Sequence, residues 1–294
     1  AASGINLSNA VVVLNVGSFR TGTSIVDWHV PGTNMFTYPP ISTGFKDKEH
    51  YYFAEGKLEL LDAEKEWFFD TVTKELYVWV PGGGSPAGLE IRGKKTTYCF
   101  EAVDCDDLVL SGIDFFAGTF NLDGCRRARV ENGELTYPSC TRRMLHIIET
   151  PQTTKVNSDF ATIYNCTFAY TDGHGITVGG DDATIENCYF HHIDYSCADL
   201  PSVMPALNMN GSRITFRRNT LHSFGASVGL LQDKVGTTEY NNFYNGGYKQ
   251  HDGAMVQVMV KPQTFANIGW NWVHDWSRLG IRFDGGGGTN GLVH

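Results

Sequence analysis

Four aspartates in the second half of the sequence sit in settings suited to acid–base chemistry. Asp172 lies in Thr171-Asp172-Gly173-His174-Gly175, Asp233 precedes Lys234, Asp252 lies in His251-Asp252-Gly253, and Asp284 lies in Arg282-Phe283-Asp284-Gly285. Hydrolysis of a glycosidic bond needs two carboxyl groups. One donates a proton to the leaving oxygen and the other acts as base or nucleophile. Asp252 and Asp284 are favoured as that pair, because an adjoining glycine leaves room for a bulky substrate. Asp172, His174, Asp233, Lys234, His251, Gln257 and Arg282 are then candidates for binding substrate or tuning a nearby carboxyl. An Asp-Gly pair also serves simply as a turn.

Two other chemistries compete. β-Elimination from a uronic acid needs its carboxylate neutralised, by Ca²⁺ or Arg, and a base such as Lys, His, Tyr or Arg. Lys234, Tyr248, Lys249, His251 and Arg282 are the available groups. Ca²⁺ enters only on this reading, since no acidic set has Ca²⁺-ligand spacing. The third option is binding without turnover, with Tyr244, Tyr248, Trp270, Trp272 and Trp276 stacking on sugars. No metal site is expected, because His191-His192 and His274 lack a third ligand at predictable spacing.

These residues are far apart in sequence, so a repeating scaffold must bring them together. From about residue 107 a short pattern recurs: apolar-x-apolar, a small or polar turn, then an apolar pair. Ala161-Thr162-Ile163-Tyr164-Asn165-Cys166-Thr167-Phe168 and Ala183-Thr184-Ile185-Glu186-Asn187-Cys188-Tyr189-Phe190 are its clearest copies. One column reads Ile113, Gly133, Cys166, Cys188, Asn219, Asn242 and Asn271, at intervals of 20 to 33 residues. That range suits one coil of a parallel β-solenoid with loops of variable length. The copy starting at Thr237 fits worst, because Glu239 falls at an apolar position. A second strand is expected in each coil, at 120–124, 145–149, 176–180, 207–211, 228–232, 256–258 and 281–285. Alternation along these strands turns one face inward and one outward. The acids and cations named above fall on or beside this second strand, on one side of the coil.

The pattern resembles the right-handed parallel β-helix repeat proteins, the pectate-lyase-like superfamily, over roughly residues 100–294. The resemblance implies an all-β, right-handed parallel β-helix. It also implies a carbohydrate-active protein that is secreted, periplasmic or held at the cell surface, with a polysaccharide or oligosaccharide as substrate. Thr171-Asp172, Gly173-His174-Gly175 and Asp181-Asp182 echo motifs of the polygalacturonase-type hydrolases. Here they are compressed and reordered, so that activity is not carried over. The sequence breaks off at Thr289-Asn290-Gly291-Leu292-Val293-His294, where another first strand is due, so the coil is expected to be truncated there.

Residues 1–98 lack the repeat and read as a β-rich cap or insert before a β-helix over 99–294. A strand is expected at 10–16 and a meander at 57–61, 66–70 and 75–80, with Trp67 and Trp79 read as core. Composition agrees with a β protein of many turns. Glycine makes up 33 of 294 residues, charged residues are 19% and aromatics 13%, against roughly 7% glycine and 25% charged in an average chain. The net charge of −9 argues against a nucleic-acid partner, which usually meets a basic face. No run approaches the ~20 apolar residues of a membrane span. No cofactor motif is present. The seven cysteines lack metal-type spacing, and a Cys125–Cys140 bridge is one option the sequence leaves open.

Overall fold

The computed structural model describes residues 3–41, 44–47, 50–197, 205–232, 234–259, 263, 265–285 and 289–294. It divides into two compact units. The first holds residues 1–93 together with 141–150, and the second holds 94–140, 151–197 and the residues from 202 onward.

In the first unit, Val11–Gly17 pairs antiparallel with Arg20–Ile25 on one side and Tyr51–Glu55 on the other. Ala10, Val12, Leu14, Val16 and Val26 form its core. The expected meander is reduced to one hairpin, Trp67–Phe69 against Leu76–Val78. Leu58–Leu60 is a single 3₁₀ turn with no buried residue, rather than a strand. Trp67 and Trp79 lie on the surface rather than in the core.

The second unit is a coil of three parallel sheets. The first sheet has eight strands, beginning with Tyr98–Val103 and ending with Leu279–Phe283. The second has eight, from Val109–Ser111 to Leu292–Val293, and the third has seven, from Phe115–Phe116 to Trp272–His274. The chain visits the sheets in that order once per coil. Each coil but the last therefore carries three strands rather than the two read from sequence. The turn plus apolar pair that closes the sequence pattern is itself the third strand.

Stacking in register explains the core. Leu110, Val130, Ile163, Ile185, Phe216, Thr238 and Ile268 face inward one above another on the second sheet. Phe115, Leu135, Phe168, Phe190, Leu221 and Phe243 do the same on the third, all buried. Phe168 and Phe190 stack with ring centroids 4.8 Å apart, matching the ~4.8 Å spacing of adjacent strands. Each such ring contributes roughly 1.5–3 kcal/mol on burial.

The turn between the second and third sheets has two columns. Asn132, Asn165, Asn187, Arg218, Tyr240 and Trp270 all sit at φ between 50° and 58°. Asparagine adopts this left-handed conformation more readily than most residues. Asn187 donates to Asn165 (3.2 Å) and Asn165 to Asn132 (2.8 Å). The inward column is Cys166, Cys188, Asn219, Asn241 and Asn271. Asn219 Oδ1 accepts the Cys188 N–H, Asn241 Oδ1 accepts the Asn219 N–H, and Asn271 Oδ1 accepts the Asn241 N–H. The member in the sixth coil is thus Asn241, not Asn242, a slip of one residue from the sequence alignment. It arises because the inward residue there is Thr238, whose hydroxyl donates to buried Gln232 at 2.5 Å.

The strand expected at 145–149 is also displaced. Arg143–Leu145 is a 3₁₀ turn, His146 is left-handed, and Arg142 bridges to Glu149 at 2.6 Å. The strand in that coil is Lys155–Asp159, between Thr119–Arg126 and Ile176–Val178.

Candidate functional site

The first sheet and the turns at its two ends gather the polar groups. Arg282 projects outward from the last strand of the first sheet. Register places it in one column with Gln257, Leu231, Asn208 and Thr177. Asp252 lies in the loop entering Ala254–Val258, with φ 71°. A Cβ at Gly253 would meet the Ser227 carbonyl oxygen at 1.8 Å, so the Asp252-Gly253 turn depends on glycine. Asp284 follows Leu279–Phe283, with its N–H on the Val258 carbonyl.

Arg282 joins the two acids. Its Nη1 donates to the Asp252 carbonyl (2.8 Å) and to Asp252 Oδ1 (3.2 Å), and its Nη2 lies 3.1 Å from Asp284 Oδ2. Gln257 Nε2 donates to the same Asp284 oxygen at 3.3 Å. One rigid guanidinium fork therefore reaches both carboxylates, which keeps their oxygens within about 9 Å of each other. Beside this cluster the Arg278 guanidinium donates to His251 Nδ1.

Gln257 is fully buried, so it supports Asp284 from beneath rather than standing on an open face. Lys234 is exposed beyond Val228–Gln232, and Asp233 lies outside the described residues.

Asp172 and His174 lie at the turn entering the same sheet but three coils earlier, about 14 Å along the stack. They do not join the Asp252–Arg282–Asp284 group. Asp172 is buried and accepts from the Ser196 hydroxyl. His174 donates from Nδ1 to the Pro205 carbonyl, and burial pushes its imidazole below the usual range. Around them is a polar cluster that sequence reasoning missed. Asp194 is fully buried, its N–H donates to Thr171 Oγ1 at 2.9 Å, and the Cys197 thiol donates to the Asp194 carbonyl. Burial lowers the Lys94 ammonium, which is partly offset by nearby Cys140, Cys99 and Asp172. No motif spacing signals this group, because its members come from three separate loops.

Asp181 and Asp182 lie on the other side of the coil, at the turn from the first sheet to the second. Asp182 forms a two-pronged pair with Arg213, both contacts at 2.7 Å. Asp107 pairs in the same way with Arg127. These acids are paired with arginines at the turns.

Four of the rings weighed as sugar platforms, Tyr244, Trp270, Trp272 and Trp276, stack on other aromatic or histidine rings. On the third sheet His191, His222, Tyr244 and His274 form one column. His222 and Tyr244 are 4.7 Å apart at 11°, and Tyr244 and His274 are 4.8 Å apart at 14°. Such rings present edges to solvent, with their faces covered. Trp270 stacks on Tyr240 (5.1 Å, 5°) and Trp276 on Phe224 (5.5 Å, 30°).

None of the seven cysteines is joined in a disulfide. Cys125 is buried and donates to the Ala102 and Asp123 carbonyls, so the Cys125–Cys140 bridge is not formed. No group of three or more potential metal-ligating side chains occurs among the described residues. None of the helices among them is long and apolar enough to cross a membrane.

Residues 154–294, just under half of the chain, match the family model described as the right handed beta helix region. The match lies within the three-sheet coil. The three-sheet coil is accordingly a right-handed parallel β-helix. No curated protein and no solved structure matches the chain.

Proposed function

We propose that this β-helix processes polysaccharides outside the cytoplasm, as a glycoside hydrolase centred on Asp252, Asp284 and Arg282. The supporting observation is the shared guanidinium, which contacts acids from two successive coils at the two ends of the first sheet's strands. A separation within about 9 Å accommodates either mode of glycoside hydrolysis, direct attack by a carboxylate or attack by an intervening water. One acid protonates the leaving oxygen while the other serves as nucleophile or base. Arg282 fixes the orientation of both, and Gln257 braces Asp284.

Incubation with a panel of plant, algal and bacterial polysaccharides tests this reading. Release of new reducing ends without an ultraviolet-absorbing unsaturated product is expected. R282M should lower kcat while leaving the circular dichroism spectrum unchanged. An unsaturated product would move the assignment to β-elimination. Retained glycan binding without turnover across the panel would move it to a binding protein.

A further inference from the structure

The inward turn column holds two cysteines on successive coils. Their chain neighbours pair in parallel register on both sides: Tyr164 with Glu186 before the turn, and Thr167 with Tyr189 after it. Cys166 and Cys188 are therefore direct neighbours along the stack. Their Cα atoms are expected at about the 4.8 Å strand spacing, within the roughly 4.4–6.8 Å that a disulfide spans. Both are buried. The positions above and below them in the column are Gly133 and Asn219, so neither has another sulfur beside it there.

We propose that Cys166 and Cys188 form a redox-active pair that closes to a disulfide linking adjacent coils when a small peroxide is present. In the reduced state each thiol rests on local carbonyls, Cys166 on Tyr164 and Cys188 on Glu186, both at 3.3 Å. The two sulfurs are not equivalent. A hydrogen bond from Cys188 holds the Cys166 thiol below its usual range, whereas burial pushes Cys188 well up. Cys166 is thus the nucleophile, because the thiolate is the reactive form.

The step balances as follows. The Cys166 thiolate attacks one peroxide oxygen, the O–O bond breaks, and the departing hydroxide takes up the proton lost by Cys166 to leave as water. The sulfenic acid so formed is attacked by the Cys188 sulfur. The S–O bond breaks, and hydroxide leaves with the Cys188 proton as a second water. Two thiols are oxidised by two electrons and one peroxide is reduced to two waters.

The test is a peptide map. The folded protein is treated with hydrogen peroxide, remaining thiols are alkylated in denaturant, and the product is cleaved by trypsin and a glutamate-specific protease without reduction. No Lys or Arg lies between residues 156 and 212, and Glu186 separates the two cysteines. The expected product is residues 156–186 joined to 187–213, lost on reduction. Cys197 shares the second peptide, so C197S must retain the link and C188S must lose it. Separate alkylation of Cys166 and Cys188 in the treated wild type would overturn the proposal. So would a link that disappears in C197S, a variant that leaves the proposed pair intact.

Discussion

Asn241→Ala separates two alignments of the repeat that differ by one residue. Asn241 is 2% exposed. Its Oδ1 accepts the Asn219 N–H (2.8 Å), and its Nδ2 donates to the Phe216 carbonyl (3.0 Å) and to Asn271 Oδ1 (2.8 Å). Alanine leaves the buried Asn219 N–H without its acceptor and the Phe216 carbonyl without one donor. At about 1–3 kcal/mol for each buried group deprived of a partner, the cost is roughly 2–6 kcal/mol. Asn242 faces outward on the third sheet, and its side chain accepts from His274 Nε2 at 2.9 Å. Asn242→Ala should therefore cost no more than about 1 kcal/mol. Solenoids need not unfold in one step, so the comparison is best made by urea midpoints together with hydrogen exchange at the Asn219 amide. N241A should lower the midpoint and speed that exchange, while N242A should do little to either. Equal effects, or a larger effect from N242A, would refute the hydrogen-bonded column.

Acid should weaken the coil through its stacked histidines. Burial, with repulsion from His191 and His192, lowers His222 to about 4, and burial also lowers His191. The unfolded chain binds these protons first, near pH 6.5, so stability falls as pH drops from about 6.5 toward 4 and the His222 effect is complete below that. The shift corresponds to at most about 3 kcal/mol, or ~1–2 kcal/mol after solvent screening; H222Q should flatten the decline in urea midpoint across this window. Asp182→Ala should leave the midpoint close to wild type, because its partner Arg213 is solvent-exposed and exposed ion pairs contribute little. Gly253→Ala should lower both thermal midpoint and any glycan cleavage, since the added carbon collides with the Ser227 backbone.

The repeat was legible wherever an apolar residue marks the inward position, as at Ile163, Ile185 and Phe216. It became illegible where the interior is polar. Thr238 and Gln232 satisfy each other inside the coil, which removed the apolar marker and shifted the alignment onto Asn242. Lys155–Asp159 has a single apolar residue, Val156, and turns Ser158 inward. The more hydrophobic Leu145, Ile147 and Ile148 drew the assignment away, although all three are exposed in the structure. At the candidate site, glycine neighbours and position on one side of the coil singled out Asp252 and Asp284. Their shared contact with Arg282 depends on how a loop of variable length places successive coils, which periodicity does not encode. The same limit explains Asp172 and His174, assigned to the correct sheet but three coils away.

The most direct measurement is reducing-end release by wild type, D252N and D284N on a polysaccharide that the wild type cleaves. Each substitution keeps the side-chain shape while removing the carboxylate. Catalysis by this pair predicts that both variants lose at least about 100-fold in kcat, the usual scale for removing a positioned acid or base, with circular dichroism unchanged. Wild-type release from either variant would contradict it.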